Sequence, residues 1–171
     1  MSAAAGGLSE ADERELRALA ADYAAGVDRR DQERLLSVFT PDGVLERYDA
    51  GVVDAPRGVI RGHEELARIT ERIASYDATF HFIGQSSYRA DGDGAVGEVY
   101  CTARHLTRTR HGATDFTMFI RYVDRYARVA DGWRIAQRKL FLDWTEMHTA
   151  IPPAGGTARR SAASRSACSC C

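Results

Sequence analysis

The stretch ADYAAGVDRRDQERLLSVFTPDGVL, residues 21–45, carries a carboxylate where helix physics does not favour one. Upstream, Leu16, Leu19, Ala20, Tyr23 and Val27 recur at helical spacing as an apolar stripe. Asp28 therefore falls near a helix C-terminus, whose dipole disfavours an anion, and a partner elsewhere in the fold must hold it there. Other chemistry-bearing residues are few. The five histidines lack zinc-like spacing, His105 with His111 being only a weak metal pattern, and no glycine-rich phosphate loop is present, so neither a metal nor a cofactor is expected. A neutral imidazole titrates near ~6.5 and can take a proton at physiological pH. His81, in TFHFIGQ, is the best such base on offer, although a histidine in a strand also commonly serves as hydrogen-bonded scaffolding.

Alternation along AVGEVYCTARHLTRTR sends Val99, Cys101, Ala103 and His105 to one face and Glu98, Tyr100, Thr102 and Arg104 to the other. The first set is small and mostly apolar and is expected to face a cavity, with His105 at its rim. Cys101 is expected to pack rather than react, since burial raises a thiol pKa. In the next run Phe116, Met118, Ile120 and Tyr122 share a face. A mostly apolar pocket built this way suits a hydrophobic small molecule such as a polyketide, terpenoid, steroid or small aromatic compound.

Positioning these residues requires helices first and strands afterwards. Ser9 and Asp12 form a capping-box pattern that opens a helix ending around Gly26 to Arg29. Asp31 can cap a second helix running through Phe39, with Leu35, Leu36 and Phe39 as its apolar face, before TPDG supplies a tight turn. VLERY alternates like a short strand, the stretch up to Gly62 reads as a loop with room for another, and HEELARITERIASY spaces Leu66, Ile69 and Ile73 as a third helix. After Asp77 four runs rich in β-branched and aromatic residues follow, separated by DGDG, HGAT and ADG. Strands longer than ~10 residues generally curl with the help of bulges. The expected fold class is α+β, a cone of strongly curved, mostly antiparallel sheet whose mouth three helices partly cover. One domain, residues 9–150, is expected between a disordered start, 1–8, and a flexible tail, 151–171, whose composition cannot offset the entropy of ordering it.

The totals exclude several classes. With 23 basic and 24 acidic residues and a net charge of -1, the 171-residue chain has no field to gather nucleic acid or anionic lipid. Nothing approaches the ~18 consecutive apolar residues of a membrane span, and the start lacks the basic-then-apolar order of a secretory signal, so a cytoplasmic address is expected. Cys101 stands alone in the body of the chain while Cys168, Cys170 and Cys171 crowd its end, which argues against a disulfide framework. The terminal CSCC has three readings: a neutral remnant, a soft-metal or redox appendage, or a segment altered by a tail-modifying enzyme.

LAADYAAGVDRRDQERLLSVFTPDGVL, IRGHEELARI, TFHFIGQ and YARVADGWRIAQRKLFLDW, in this order, resemble the SnoaL-like branch of the nuclear-transport-factor-2-like superfamily over roughly Leu16 to Trp144. In dehydratase-like members, an Asp at the end of the first helix, a His on the first long strand, a Tyr before the Asp and an Arg on the last strand line the pocket. The matching positions are Asp28, His81, Tyr23 and Arg138. The resemblance implies a cofactor-independent lyase or isomerase of the kind found in secondary metabolism. In it His81 abstracts an acidic C–H proton, Asp28 holds the imidazole, Tyr23 donates to a carbonyl or departing hydroxyl, and Arg138 steadies developing negative charge. Positions 23 and 28 point ~140° apart on an ideal helix, so both reach one pocket only if the helix ends or bends near Gly26. Competing readings are a small-molecule binder without catalysis, the recognition module of a precursor whose Cys-rich end is modified, Tyr23 as plain core, and Arg138 as a solvated base. Folds of this type also associate as homodimers through the open sheet.

Overall fold

The computed structural model describes residues 7–151. The expected disordered start and cysteine-bearing tail lie, apart from positions 7, 8 and 151, outside the described residues. Helices α1 (Glu10–Arg29), α2 (Gln32–Ser37) and α3 (Gly62–Ile73) accompany six strands: β1 (Phe39–Tyr48), β2 (Gly58–Arg61), β3 (Ala78–Asp91), β4 (Gly94–Thr109), β5 (Gly112–Val129) and β6 (Gly132–Ala150). The strands form one sheet in the order β2-β1-β6-β5-β4-β3. Every neighbouring pair is antiparallel except β1 with β6. The last four strands run 14, 16, 18 and 19 residues, and register shifts at Ile83/Ser86, Phe119/Ile120 and Arg125/Tyr126 let a sheet of such length curl around the helices.

Helix α1 starts at the expected capping box: the Ser9 hydroxyl accepts from the Asp12 amide at 3.1 Å and the Asp12 carboxylate accepts from the Ser9 amide at 3.1 Å. Asp12 also accepts from the Trp133 indole at 2.9 Å and pairs with Arg128, so the cap ties the helix to the β5–β6 hairpin. The hydrogen bonds from Ser9 and Trp133 hold its carboxyl well below the usual range. At the other end Arg30 adopts a left-handed φ of 56°, a conformation costing about 1–2 kcal/mol for a residue with a Cβ. Its guanidinium offsets that strain by donating to the Asp28 carbonyl (2.6 Å), the Tyr76 carbonyl (3.1 Å), the Thr79 hydroxyl (3.3 Å) and the Ile73 carbonyl (3.4 Å). The C-termini of α1 and α3 and the start of β3 are thereby gathered at one point.

Two local expectations are corrected. Helix α2 stops at Ser37, and Phe39, expected on its apolar face, opens β1 instead, 2% exposed and paired with Ile135. TPDG is not a turn between elements but an irregular part of β1, where the register jumps from Phe39/Ile135 to Val44/Gln137. The amide of Ile135 donates to the Val38 carbonyl at 2.8 Å, so pairing with the last strand claims the backbone before the helix can continue.

The core joins the α1 stripe, Leu66, Ile69 and Ile73 of α3, and the inward faces of β4, β5 and β6. Phe80, Phe82 and Trp144 stand exposed on the other face of the sheet. Gly26 lets α1 and α2 touch, because a Cβ there would lie 2.8 Å from the Leu35 backbone nitrogen. His105, on β4, is 1% exposed, its ring 4.7 Å from that of Tyr76. Burial, helped by the nearby His81, pushes its pKa from 6.5 down to about 4.

Gly26→Ala is expected to destabilise the fold by about 1–3 kcal/mol through overpacking against backbone, read as a Tm loss of roughly 2–12 °C; an unchanged Tm would show that α2 can retreat freely. Between pH 6.5 and about 4 the unfolded chain binds a proton that buried His105 refuses, so stability from the neutral ring is complete above 6.5 and drains as pH falls through that window. Wild type should lose up to about 3 kcal/mol more than His105→Gln there, measured by urea unfolding across pH; parallel losses would refute it.

Candidate functional site

The Asp28 carboxylate has its partner on the edge strand β3. Asp28 Oδ2 accepts the His81 backbone N–H at 2.8 Å, and Asp28 Oδ1 lies 2.7 Å from His81 Nδ1. An edge strand presents N–H groups that no further strand pairs, and α1 packs on this one so that its last turn supplies the acceptor. Burial of the half-buried Asp28 pushes its carboxyl up, but the side-chain and backbone hydrogen bonds from His81 outweigh this and hold it below the usual carboxylate range. With Asp28 ionised, Nδ1 is the donor and Nε2 is the nitrogen left with a free lone pair, a tautomer assigned from the carboxylate contact.

His81 forms part of the wall of an apolar hollow shared with Tyr23 and Val27 of α1, Ile69 and Ile73 of α3, and Ile60 of β2. Leu45, Ile120, Tyr122 and Leu140 close it from the sheet. It holds about 20 Å³ as it stands, space for a single water, so a larger guest must displace a wall.

Helix α1 runs through Gly26 and ends at Arg29, within the expected window. Asp28 reaches His81 at Nδ1 and at the backbone N–H from outside the hollow, whereas Tyr23 shares the hollow's wall with His81. Of the strand residues expected to line the pocket, Ile120 and Tyr122 do. Val99, Cys101, Ala103 and Met118 are buried in the core but lie off the wall. His105 is not at a rim; its ring sits 5.8 Å from that of His81, among Tyr76 and Phe116. The hollow is walled by α1, α3 and strands β1, β2, β3, β5 and β6 but by no residue of β4, which is why alternation named the right face but the wrong neighbours. Burial pushes the Cys101 thiol up to about 12, so it packs and does not react.

Arg138 is fully buried and takes no place on the wall of the hollow. Its Nε and Nη2 donate to Asp124 at 2.9 and 2.6 Å, and its guanidinium carbon lies 4.3 Å from the ring centre of Tyr23 and 4.2 Å from that of Tyr122. Burial works against its charge, but Asp124 prevails and holds its pKa above the ordinary value. Asp124 also accepts from the Tyr126 hydroxyl at 2.8 Å. Sequence reasoning missed Asp124, although it continues the inward alternation of Met118, Ile120 and Tyr122, and a carboxylate on a core face signals a buried partner. Among the described residues no three His, Cys, Asp or Glu side chains cluster as metal ligands, and no helix is long and apolar enough to cross a membrane.

The fold has solved counterparts. The Kfla4162 protein from Kribbella flavida superposes with a TM-score of 0.70 at 22% identity, covering 80% of this chain and 94% of that one. The hexachlorocyclohexane dehydrochlorinase LinA-type3 from Novosphingobium barchaimii LL02 does so with a TM-score of 0.66 at 18% identity, covering 84% and 96%. In sequence, the uncharacterized protein Rv2910c of Mycobacterium tuberculosis (strain H37Rv) is 30% identical over 129 residues, 74% of this chain and 82% of the relative. The SnoaL-like domain model matches residues 9–139, and on that match, which takes in all three helices and most of the curved sheet, the chain belongs to the SnoaL-like domain family.

Proposed function

We propose that this chain is a cofactor-independent lyase or isomerase that removes a proton from carbon in a hydrophobic small molecule. The observation that carries the reading is the double hold of Asp28 on His81, which fixes ring position and tautomer beside an apolar hollow. His81 Nε2 takes the proton of a C–H bond next to a carbonyl, and the pair left on carbon becomes the new C=C. A hydroxide or other leaving group then departs with its bonding electrons from the adjacent carbon. The imidazolium, stabilised by Asp28, returns its proton to the departing oxygen as water or, in an isomerisation, to a different carbon. That a dehydrochlorinase shares the fold supports the scaffold's suitability for elimination.

Tyr23, which shares the wall of the hollow with His81, is the donor to the developing enolate oxygen. Arg138 serves this reaction only through others. With Nε and Nη2 bound to Asp124 it is a positioning residue whose charge, stacked on Tyr23 and Tyr122, orients both phenols and strengthens their O–H groups as donors.

His81→Ala and Asp28→Asn are each expected to lower kcat/KM by about 10²- to 10⁴-fold on any β-hydroxy or β-halo carbonyl compound the wild type converts, measured by product formation with deuterium uptake from solvent. Turnover that survives both substitutions would overturn the mechanism. Long-range nitrogen–proton NMR of the neutral ring should show His81 protonated on Nδ1 with Nε2 bare, and Asp28→Asn should mix the tautomers; a neutral wild-type ring protonated on Nε2 would remove the base.

A further inference from the structure

Two residues that wall the hollow have a second role. Leu45 and Ile60 also bound a separate, more open cleft of about 290 Å³, whose other walls carry Arg47, Arg57, Arg68 and Arg72 with Glu65 as the one carboxylate. Four arginines line a space adjoining an apolar cavity in a chain whose total charge is -1.

The juxtaposition follows from how the elements are built. On β1, Leu45 and Arg47 are two apart and share the inward face; Arg47 pairs across the ladder with Leu140, itself part of the hollow's wall. On β2, Ile60 pairs with Leu45 and Gly58 with Arg47, so the strand that closes the hollow also floors the cleft. On α3, Ile69 and Ile73 form one stripe and Arg68 and Arg72 the next, each pair one helical turn apart. The apolar stripe faces His81 while the basic stripe faces the cleft.

Arginines outnumber carboxylates along the cleft. Arg57 and Arg47 both pair with Asp49, at 2.9 and 3.5 Å. Arg68 has Glu64 at 3.4 Å, and Glu64 is largely exposed. Glu65 is engaged by the Arg61 backbone amide at 2.7 Å, and Arg72 pairs with no carboxylate among the described residues. Arg47 is 6% exposed and is held by Asp49, so the accessible positive charge of the cleft lies on Arg57, Arg68 and Arg72.

We propose that the arginine cleft is the anion subsite of this active site. It receives the carboxylate or phosphate monoester of an amphipathic substrate whose apolar, reacting end passes Leu45 and Ile60 to reach His81. The inference rests on the reading of the hollow as the site of proton transfer and narrows its substrate class from hydrophobic molecules at large to those with an anionic tail. Forked guanidiniums suit either group, since both offer paired oxygens. Entry at this end also makes Ile60, on a four-residue strand at the edge of the sheet, the wall that gives way.

The test uses the full chain with three matched probes at low salt: phenylacetate, phenyl phosphate and neutral phenylacetamide, titrated calorimetrically. Wild type should bind at least one anionic probe about 10-fold or more tightly than the amide, and the stronger of the two identifies the headgroup. In Arg68→Gln/Arg72→Gln, exposed positions whose change leaves the core intact, that preference should fall to near parity with amide affinity unchanged. Methyl resonances of Ile60, Ile69 and Ile73 should shift on adding the preferred anion, placing its ring in the hollow. Equal affinity for anion and amide, binding of none of the probes, a preference that survives the double substitution, or shifts that spare those isoleucines would each overturn the proposal. His81→Asn separates the two readings: the anion preference should persist in it, whereas loss of the preference there and not in the arginine variant would place the anion on the imidazole and refute the cleft. Unimpaired turnover in the His81 variants would sink the catalytic reading and leave the binding result standing.

Discussion

One carboxylate at the end of one helix organises this molecule. Asp28 sits where the helix dipole opposes it, and it is stable there because two N–H groups of a single residue point at it, one from the backbone of an edge strand and one from an imidazole. The backbone bond satisfies a donor that no neighbouring strand could take. The side-chain bond selects the tautomer in which Nε2 carries no proton. Because both bonds end on His81, register, edge protection and ring orientation are set by the same atoms. A helix end displaced by a few ångströms would lose all three together.

The surroundings keep that end in place at a visible cost in strain. Arg30 accepts a left-handed backbone so that its guanidinium can bridge the ends of α1 and α3 and the start of β3, and Gly26 removes the side chain that would hold α2 away. Helix α1 is therefore fixed at its cap by Asp12, through Trp133, and at its far end by Arg30, which leaves little freedom for Asp28 to wander.

A second buried charge pair stands behind the hollow. Taking Arg138 and Asp124 out of water costs several kcal/mol per ion, and such a pair is tolerated only where hydrogen bonds and aromatic faces replace the lost solvent. Here Asp124 accepts from Arg138 and from Tyr126, while the guanidinium packs over the rings of Tyr23 and Tyr122, which meet each other edge to face. The arrangement stiffens two tyrosines of the hollow without placing a cation inside it. The arginines of the neighbouring cleft lie instead beyond Leu45 and Ile60, so an apolar and a basic stripe of α3 line two different cavities.

Local patterns in the chain determined the capping box at Ser9 and Asp12, the helix ending near Arg29, the four long strands between turn signals, and which residues of β4 and β5 point inward. Each of these depends on neighbours within a few positions, where periodicity and capping chemistry act. The tertiary structure alone decided that Phe39 opens a strand, that TPDG bends β1 without ending it, that Asp124 answers Arg138, and that β4 stays off the wall of the hollow. It also brought Arg47, Arg57, Arg68 and Arg72 together from a strand, a loop and a helix. These outcomes turn on β1 lying parallel to β6, a pairing between segments about ninety residues apart. Alternation tells a side chain which face it shares, but only the assembled sheet says what stands opposite, because strand order is settled by the free energy of the whole core and leaves no mark in the spacing of either strand.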